Sequence, residues 1–178
     1  NIALLPREDA RYPNRAKVQS DAPILLYWRG TLKNMNHTVG IVGARRCTQE
    51  AKQKAIKAAE ECVKRENAII SGMAKGIDSY AHTACLRSGG YTVAILGNGL
   101  DICYPSEHIK LMESILENGL LISEYPPGKA PTKYNFPQRN RLISAWSDQL
   151  IVIEPGKGSG ALITADFEKK YGRKVMIL

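Results

Sequence analysis

The sequence has few cysteines, few aromatic residues and no long apolar run. No stretch approaches the roughly 20 apolar residues of a membrane-spanning helix, and the N-terminus lacks the charged-then-apolar pattern of a signal peptide. Cys47, Cys62, Cys85 and Cys103 are far apart and form no CxxC pair, which excludes a zinc knuckle and a disulfide scaffold. We therefore expect a cytoplasmic protein with reduced thiols, no bound metal and no membrane partner.

Acidic residues are also in the minority. The 178 residues include 17 Asp and Glu against 25 Lys and Arg, which gives a net charge of +8. A basic balance favours an anionic partner such as nucleic acid, although charge alone does not identify one. The hydrophobic content of 44% is sufficient for one buried core.

The common signatures of nucleotide-dependent and nucleophilic enzymes are missing. GIVGAR lacks the GxGxxG spacing, and GKGS at residues 156–159 lacks the upstream glycine of a phosphate-binding loop. There is no GxSxG elbow, and His37, His82 and His108 have no evident nucleophile or orienting acid nearby in the sequence. His82 is interpreted as a packed or capping residue. These absences argue against a dehydrogenase, an ATPase or a triad hydrolase, and no cofactor is expected.

From residue 38 onward, short apolar runs alternate with amphipathic stretches. Runs such as TVAIL and LIVI are continuously apolar, which indicates parallel strands covered on both faces. The pattern predicts an α/β fold with a doubly wound, mainly parallel sheet and helices on both faces. The expected strands are 38–44, 68–71, 91–96, 120–123, 149–154 and 174–178, and the expected helices are 48–66, 77–88, 106–118, 137–146 and 161–171.

Residues 1–37 are predicted to be a short irregular extension, because Pro6, Pro13 and Pro23 interrupt any helix. The apolar residues 24–28 are expected to add an edge strand. Residues 38–178 would form the main domain. The chain starts at Asn1 and stops within a strand-like run, so we expect a portion of a longer protein, with the domain truncated at its C-terminus.

Glycine-marked turns follow the predicted strands. Gly43 precedes Arg45 and Arg46, Ser71 and Gly72 end the second strand, and Gly97 ends the third. In an open parallel sheet these turns meet at one edge, where helix N-termini present N–H donors to anions. Asp78 is expected to accept backbone N–H groups in the first turn of the helix that follows Gly76. The turns together predict a phosphate-binding crevice.

A second cluster mixes cations with aromatic rings. The stretch PTKYNFPQRNRLIS contains Lys133, Tyr134, Phe136, Arg139 and Arg141. Unpaired bases stack on aromatic rings and their phosphates pair with cations, whereas each ring could equally be a core residue beneath the loop. The two arginines point in different directions on a helix. One is expected to bind ligand and the other to pair with Glu124 or Glu154.

In order along the chain, these motifs resemble the DNA-processing protein A family, also called DprA or Smf. The resemblance runs from about Tyr12 to the last residue and is specific because many elements recur together. They are RYP, PILLYWRG, VGARR, SGMAKGIDSYAH, TVAILGNGLDICYP, GLLISEYPPG, FPQRNRLI and GSGALITA.

The resemblance implies a Rossmann-like domain that binds single-stranded DNA without catalysis. It also implies a bacterial homodimer that delivers the strand to the recombinase RecA in natural transformation. The candidate DNA contacts carried over are Gly43, Arg45, Ser71, Gly72, Ala74, Lys133, Phe136, Arg139, Arg141, Ser159 and Gly160, to which the turn analysis adds Arg46 and Gly97.

Two departures from the family pattern and two alternative functions accompany this resemblance. Ala44 stands where the family usually has Ser or Thr, and Glu50 and Ala51 stand where it often has Tyr-Gly. One alternative is a phosphoribohydrolase of the lysine-decarboxylase-like LOG family, with PGGxGTxxE; here Ile163 occupies the position of the catalytic Glu, which argues against it. The other alternative is a small-ligand carrier for a nucleotide or a molybdenum-cofactor-like pterin.

Overall fold

A single eight-stranded sheet forms the centre of the molecule, in the order β1-β2-β6-β5-β4-β3-β7-β8. The computed structural model describes residues 1–156 and 158–178. The strands are β1 Ala3–Pro6, β2 Leu25–Gly30, β3 Thr38–Gly43, β4 Ala68–Ser71, β5 Thr92–Leu96, β6 Leu120–Ser123, β7 Gln149–Ile153 and β8 Lys174–Ile177.

In the sheet, the six neighbouring strands β6, β5, β4, β3, β7 and β8 pair in parallel. At the β6 side, β2 pairs antiparallel with β6, and β1 pairs antiparallel with β2. All residues of β4, β5 and β6 are buried, which explains their continuously apolar sequence. The predicted doubly wound, mainly parallel sheet is confirmed.

Helices cover both faces of this sheet. They are α1 Asn14–Lys17, α2 Gln49–Lys64, α3 Ile77–Arg87, α4 Ile109–Asn118, α5 Asn135–Ala145 and α6 Gly160–Lys170, with a short 3₁₀ helix at Ser106–His108. On one face, α2 and α3 pack through Ala55, Ala59 and Ala81 against strand residues such as Ile41. On the opposite face, α5 and α6 pack around the fully buried Trp146. None of the helices within the described ranges is long and apolar enough to cross a membrane.

The N-terminal segment is more ordered than its prolines indicated. The expected strand at residues 24–28 is observed as β2, but β1 lies outside it, so β2 is not the edge. Leu5, Tyr12 and Leu26 are fully buried in the core, and the Tyr12 ring lies 5.9 Å from the Trp146 ring. The N-terminal extension therefore contains the regular elements β1, α1 and β2, and its apolar side chains complete the core. The division at residue 37 stays a prediction.

The strand order reverses direction at β3, which has β4 on one side and β7 on the other. The connections after β3 and β7 leave the sheet in different directions at this point, and a crevice opens beyond the carboxyl ends of the two strands. The fold thus brings the turns after β3, β4 and β7 to one edge of the sheet.

Candidate nucleic-acid interface

A cavity of about 310 Å³ occupies the crevice between β3 and β7. We call it the switch-point cavity. It brings together segments that are far apart in the sequence: the end of β3, the turn before α3, the first turns of α5 and the N-terminus of α6. The predicted residues that line it are Gly43, Arg45, Ala74, Arg139, Ser159 and Gly160.

A smaller cleft of about 70 Å³ adjoins it. This rim cleft shares Arg45, Ala74 and Arg139 with the switch-point cavity, so the two spaces are neighbours. Gly72 and Phe136, both predicted site residues, line the cleft, and so does Tyr104. The remaining predicted residues line neither space; they are Arg46, Ser71, Gly97, Lys133 and Arg141.

Helix α6 directs its N-terminus at the switch-point cavity. Its first residue is Gly160, and Ser159 precedes it in an extended conformation without a capping hydrogen bond from its side chain. The Ser159 hydroxyl oxygen is buried and has no hydrogen-bond partner among the described residues. The first amides of a helix carry a partial positive charge and attract anions. The turn between β7 and α6, which we call the open turn, therefore offers donors toward the cavity.

Arg45 supplies a cation to both spaces. Its side chain is exposed, and it takes part in none of the ion pairs found among the described residues. The guanidinium carbon lies 5.5 Å from the centre of the Phe136 ring, within the range of a cation–π contact. An arginine without an acidic partner and a helix N-terminus that line the same cavity suit a phosphate group.

The turn between β4 and α3 directs its donors to acceptors within the protein. The amides of Gly72 and Ala74 both donate to Asp78 Oδ2, at 3.1 and 3.4 Å, and the Ser71 hydroxyl donates to the Ile41 carbonyl at 2.6 Å. Burial raises the pKa of Asp78, and Arg139 and the two amides oppose that rise. We call this the closed turn. Asp78 accepts amides as predicted, but they belong to the preceding turn rather than to its own helix.

Arg139 forms the floor of both spaces. It is 4% exposed and donates to the carbonyls of Gly72, at 2.7 Å, and of Ile95. Burial lowers its pKa to about 10, so it remains charged at neutral pH. A Cβ atom on Gly72 would lie 2.6 Å from the guanidinium carbon. Glycine is therefore required at this position by the buried arginine rather than by a ligand.

Arg141 lies elsewhere. Its Nη2 atom donates to both carboxylate oxygens of Glu124 at 2.7 Å, so of the two acidic partners considered from the sequence, Glu124 is the one observed. Glu154 instead accepts from the amide and hydroxyl of Thr48. The two arginines of the RNR motif point apart, as expected from their spacing on a helix.

The aromatic residues of the predicted loop have different environments. Phe136 is half-buried and stacks on Tyr104, with ring centroids 5.4 Å apart and an interplanar angle of 26°. A Cβ atom on Gly97 would lie 3.0 Å from this ring, so Gly97 makes room for Phe136. Tyr134 is 72% exposed, and Lys133 lies over its ring rather than in either cavity.

Sequence reasoning missed Tyr104 as a site residue. The signal was available, because Tyr104 follows the third strand's turn in the run GNGLDICYP. His82 behaves as predicted: it is fully buried, its Nδ1 lies 2.7 Å from the Thr92 hydroxyl, and burial lowers its pKa to about 3. It is a packed, neutral histidine.

Comparison with known proteins agrees with the motifs. The family model described as DNA recombination-mediator protein A matches residues 3–178. Protein Smf of Synechocystis is 40% identical over the whole chain. The structure of DNA processing protein A from Streptococcus pneumoniae superimposes with a TM-score of 0.94 at 37% identity, covering 99% of this chain and 62% of that one.

A second structure, that of DNA processing protein A from Helicobacter pylori, gives a TM-score of 0.90 at 32% identity and is described as showing a unique single-stranded DNA binding mode. It covers 99% of this chain and 80% of that one. The chain spans 46% of the Synechocystis relative and thus about half of its length. The family model matches nearly all residues of the chain, and the Synechocystis relative is 40% identical over all of it. The chain therefore belongs to the DNA recombination-mediator protein A family.

Proposed function

We propose that this chain binds single-stranded DNA without catalysis, with a backbone phosphate in the switch-point cavity. The observation that carries the proposal is that Arg45, which has no ion-pair partner among the described residues, lines both the cavity at the α6 N-terminus and the adjoining aromatic cleft. Its membership in a family described as recombination mediators supports this choice, as does the single-stranded DNA binding mode described for the Helicobacter pylori protein.

The charge distribution favours a polyanion over a neutral ligand. The chain has a net charge of +8, and within the switch-point cavity the buried charges of Arg139 and Asp78 offset each other. Arg45 and the α6 amides therefore remain to attract phosphate. Binding should release counterions, so the logarithm of the association constant should fall with the logarithm of salt concentration by about 0.7 per neutralised phosphate.

The aromatic cleft favours unpaired bases. Tyr104 and Phe136 line the space next to Arg45. A base inside a duplex is already stacked and paired, whereas a base in a single strand is free to stack on a ring. We therefore expect tighter binding to single-stranded than to double-stranded DNA.

Fluorescence anisotropy with labelled oligo-dT and a duplex of equal length, at several salt concentrations, tests this proposal. Arg45→Ala should weaken binding about tenfold and make the salt slope shallower by about 0.7. Arg65→Ala removes the same charge from the far end of α2, where the side chain is exposed, and serves as the matched control. Equal losses in both variants, or salt-independent binding, would reject the cavity as the binding site.

For the whole protein, we propose delivery of the bound strand to RecA, a homodimeric assembly and a bacterial cytoplasmic location. The family description as a recombination mediator supports the first of these. The full-length protein should accelerate RecA filament formation on an oligonucleotide bound beforehand, and Arg45→Ala should reduce that acceleration.

Analytical ultracentrifugation of the full-length protein tests the homodimer; sedimentation as a monomer at micromolar concentration would contradict it.

The hydrolase alternative receives little support from the cavity. Among the described residues, the carboxylate that lines it is Asp78, and this group already accepts two amides and faces Arg139. Its carboxylate is thus already engaged by donors within the protein. Incubation with AMP should release no adenine at an enzymatic rate, and such release would favour the enzyme.

A thermal-shift comparison distinguishes the small-ligand alternative from DNA binding. A mononucleotide would engage one phosphate and one base, whereas a strand can continue past the rim cleft. A thermal-shift series should therefore show larger stabilisation by short oligonucleotides than by mononucleotides or a pterin at equal concentration.

A further inference from the structure

Tyr104 holds a position at the rim that neither Arg45 nor Phe136 duplicates. It is 44% exposed, and its phenol combines an apolar ring with a polar hydroxyl. Its ring stacks on Phe136, and both rings line the rim cleft beside Arg45. An exposed ring backed by a second ring is a rigid platform next to a cation.

Phe136 itself is already occupied. Tyr104 stacks on it at 5.4 Å, and the guanidinium carbons of Arg45 and Arg139 lie 5.5 and 5.9 Å from its centre. Gly97 packs against its edge. A base could reach the face of Phe136 only after one of these groups moved. Tyr104 requires no such rearrangement, because almost half of its surface is open.

We propose that Tyr104 is the stacking platform for an unpaired base of the strand, with Phe136 as its backing and Arg45 binding the adjacent phosphate. This inference rests on the proposed function and assigns the base contact to Tyr104 rather than to Phe136. Stacking on an aromatic ring does not depend on base identity, so the position accepts any base. Its contribution is also independent of salt, unlike that of Arg45.

The test compares Tyr104→Ala, Tyr104→Phe and Tyr104→Leu in anisotropy titrations with oligo-dT. Loss of one stacked base should weaken binding about 5- to 150-fold in the alanine and leucine variants, with an unchanged salt slope. Tyr104→Phe should bind as the unaltered protein does, because the ring remains. Tyr104→Leu keeps an apolar side chain without a ring, so it separates stacking from folding.

An abasic oligonucleotide of the same length provides the second readout. On this strand the unaltered protein should lose affinity, and Tyr104→Ala should have little further effect, since no base is present to stack. Normal binding by Tyr104→Ala and Tyr104→Leu, together with weakened binding by Arg45→Ala, would reject the platform and leave the proposed function standing. Normal binding by the Arg45 and Tyr104 variants alike would reject both.

Discussion

The open turn before α6 and the closed turn before α3 lie at the same rim, and both carry glycines after a buried strand. In the closed turn, the amides of Gly72 and Ala74 bind Asp78. In the open turn, the Ser159 hydroxyl has no partner among the described residues, and the α6 N-terminus points into the cavity. The difference between the two turns is the buried Asp78 carboxylate, which accepts the amides of the closed turn.

From this difference we expect the closed turn to contribute to the stability of the fold and the open turn to contribute to binding. The closed turn commits its donors to internal hydrogen bonds and thereby fixes Arg139 beneath the cavity, since Gly72 also accepts from that arginine. In the open turn the Ser159 amide donates to the Gly156 carbonyl at 3.1 Å, but the buried Ser159 hydroxyl has no partner among the described residues, which is unfavourable unless water or a ligand satisfies it. Changes to the closed turn should therefore affect stability first, and changes to the open turn should affect binding first.

The largest effect is expected from Arg139→Ala. The substitution leaves the Gly72 and Ile95 carbonyls without their donor and removes the cation that offsets buried Asp78. We expect a loss of about 4 kcal/mol in the free energy of unfolding, measured by urea denaturation. Arg46→Ala, at an exposed position, should change it by less than about 0.5 kcal/mol. Similar values for both would refute the structural role of Arg139.

A pH experiment probes the buried end of α6, the helix whose N-terminus forms the open turn. Glu168 is fully buried and accepts from the Ser144 hydroxyl, and burial raises its pKa from 4.5 to about 7. The folded chain therefore keeps a proton that the unfolded chain releases above about pH 4.5. Stability should fall as pH rises through this window, by about 3 kcal/mol in total.

Glu168→Gln removes that titration and is the matched control. Urea denaturation at pH 5 and pH 8 should show a smaller difference in the variant than in the unaltered chain. Identical pH dependence in the two proteins would show that Glu168 does not titrate in this window.

Placing the same substitution in the two turns tests the comparison directly. Gly72→Ala sets a Cβ atom against the buried Arg139 guanidinium and should cost about 2 kcal/mol of stability. Gly156→Ala meets no atom within 4 Å and should leave stability unchanged, while its place in the cavity lining allows an effect on DNA binding. Differential scanning calorimetry and anisotropy on both variants measure the two effects. Equal destabilisation by Gly72→Ala and Gly156→Ala would contradict the proposed difference between the two turns.

The smallest effect is expected from Ser159→Ala. Loss of one hydroxyl without an internal partner should reduce affinity for oligo-dT about threefold and leave the melting temperature unchanged. Ser71→Ala is the control in the closed turn: it breaks the bond to the Ile41 carbonyl and should lower stability by about 1 kcal/mol. A destabilised Ser159→Ala variant would contradict the assignment of its hydroxyl to ligand.

The regular part of the fold was predictable because buried parallel strands and helices with alanine stripes leave strong periodic patterns. In the N-terminal segment β2 was predicted but β1 was not, since β1 is short and depends on pairing with β2, which in turn pairs with β6, and no local pattern reveals these pairings. Pro6 ends β1 at the sheet edge, where proline is tolerated.

The site was predictable in position more than in chemistry. The strand-end turns and the family resemblance predicted Arg45, Ser159 and Gly160 as candidates, and the structure places these three residues at one cavity. Whether a donor is free depends on three-dimensional neighbours, however. The sequence therefore did not reveal that Asp78 accepts the Gly72 and Ala74 amides of the closed turn. It likewise did not show that Tyr104 covers Phe136, because that contact joins residues 32 positions apart.

The most direct measurement is a ¹⁵N-resolved NMR titration of this chain with short oligo-dT. If a phosphate binds between Arg45 and α6, the amides of Gly156, Gly160 and Ala161 should show the largest shifts, and those of Gly72 and Ala74 should change little. Dominant shifts at Gly72 and Ala74, or at the opposite end of the sheet, would contradict the account.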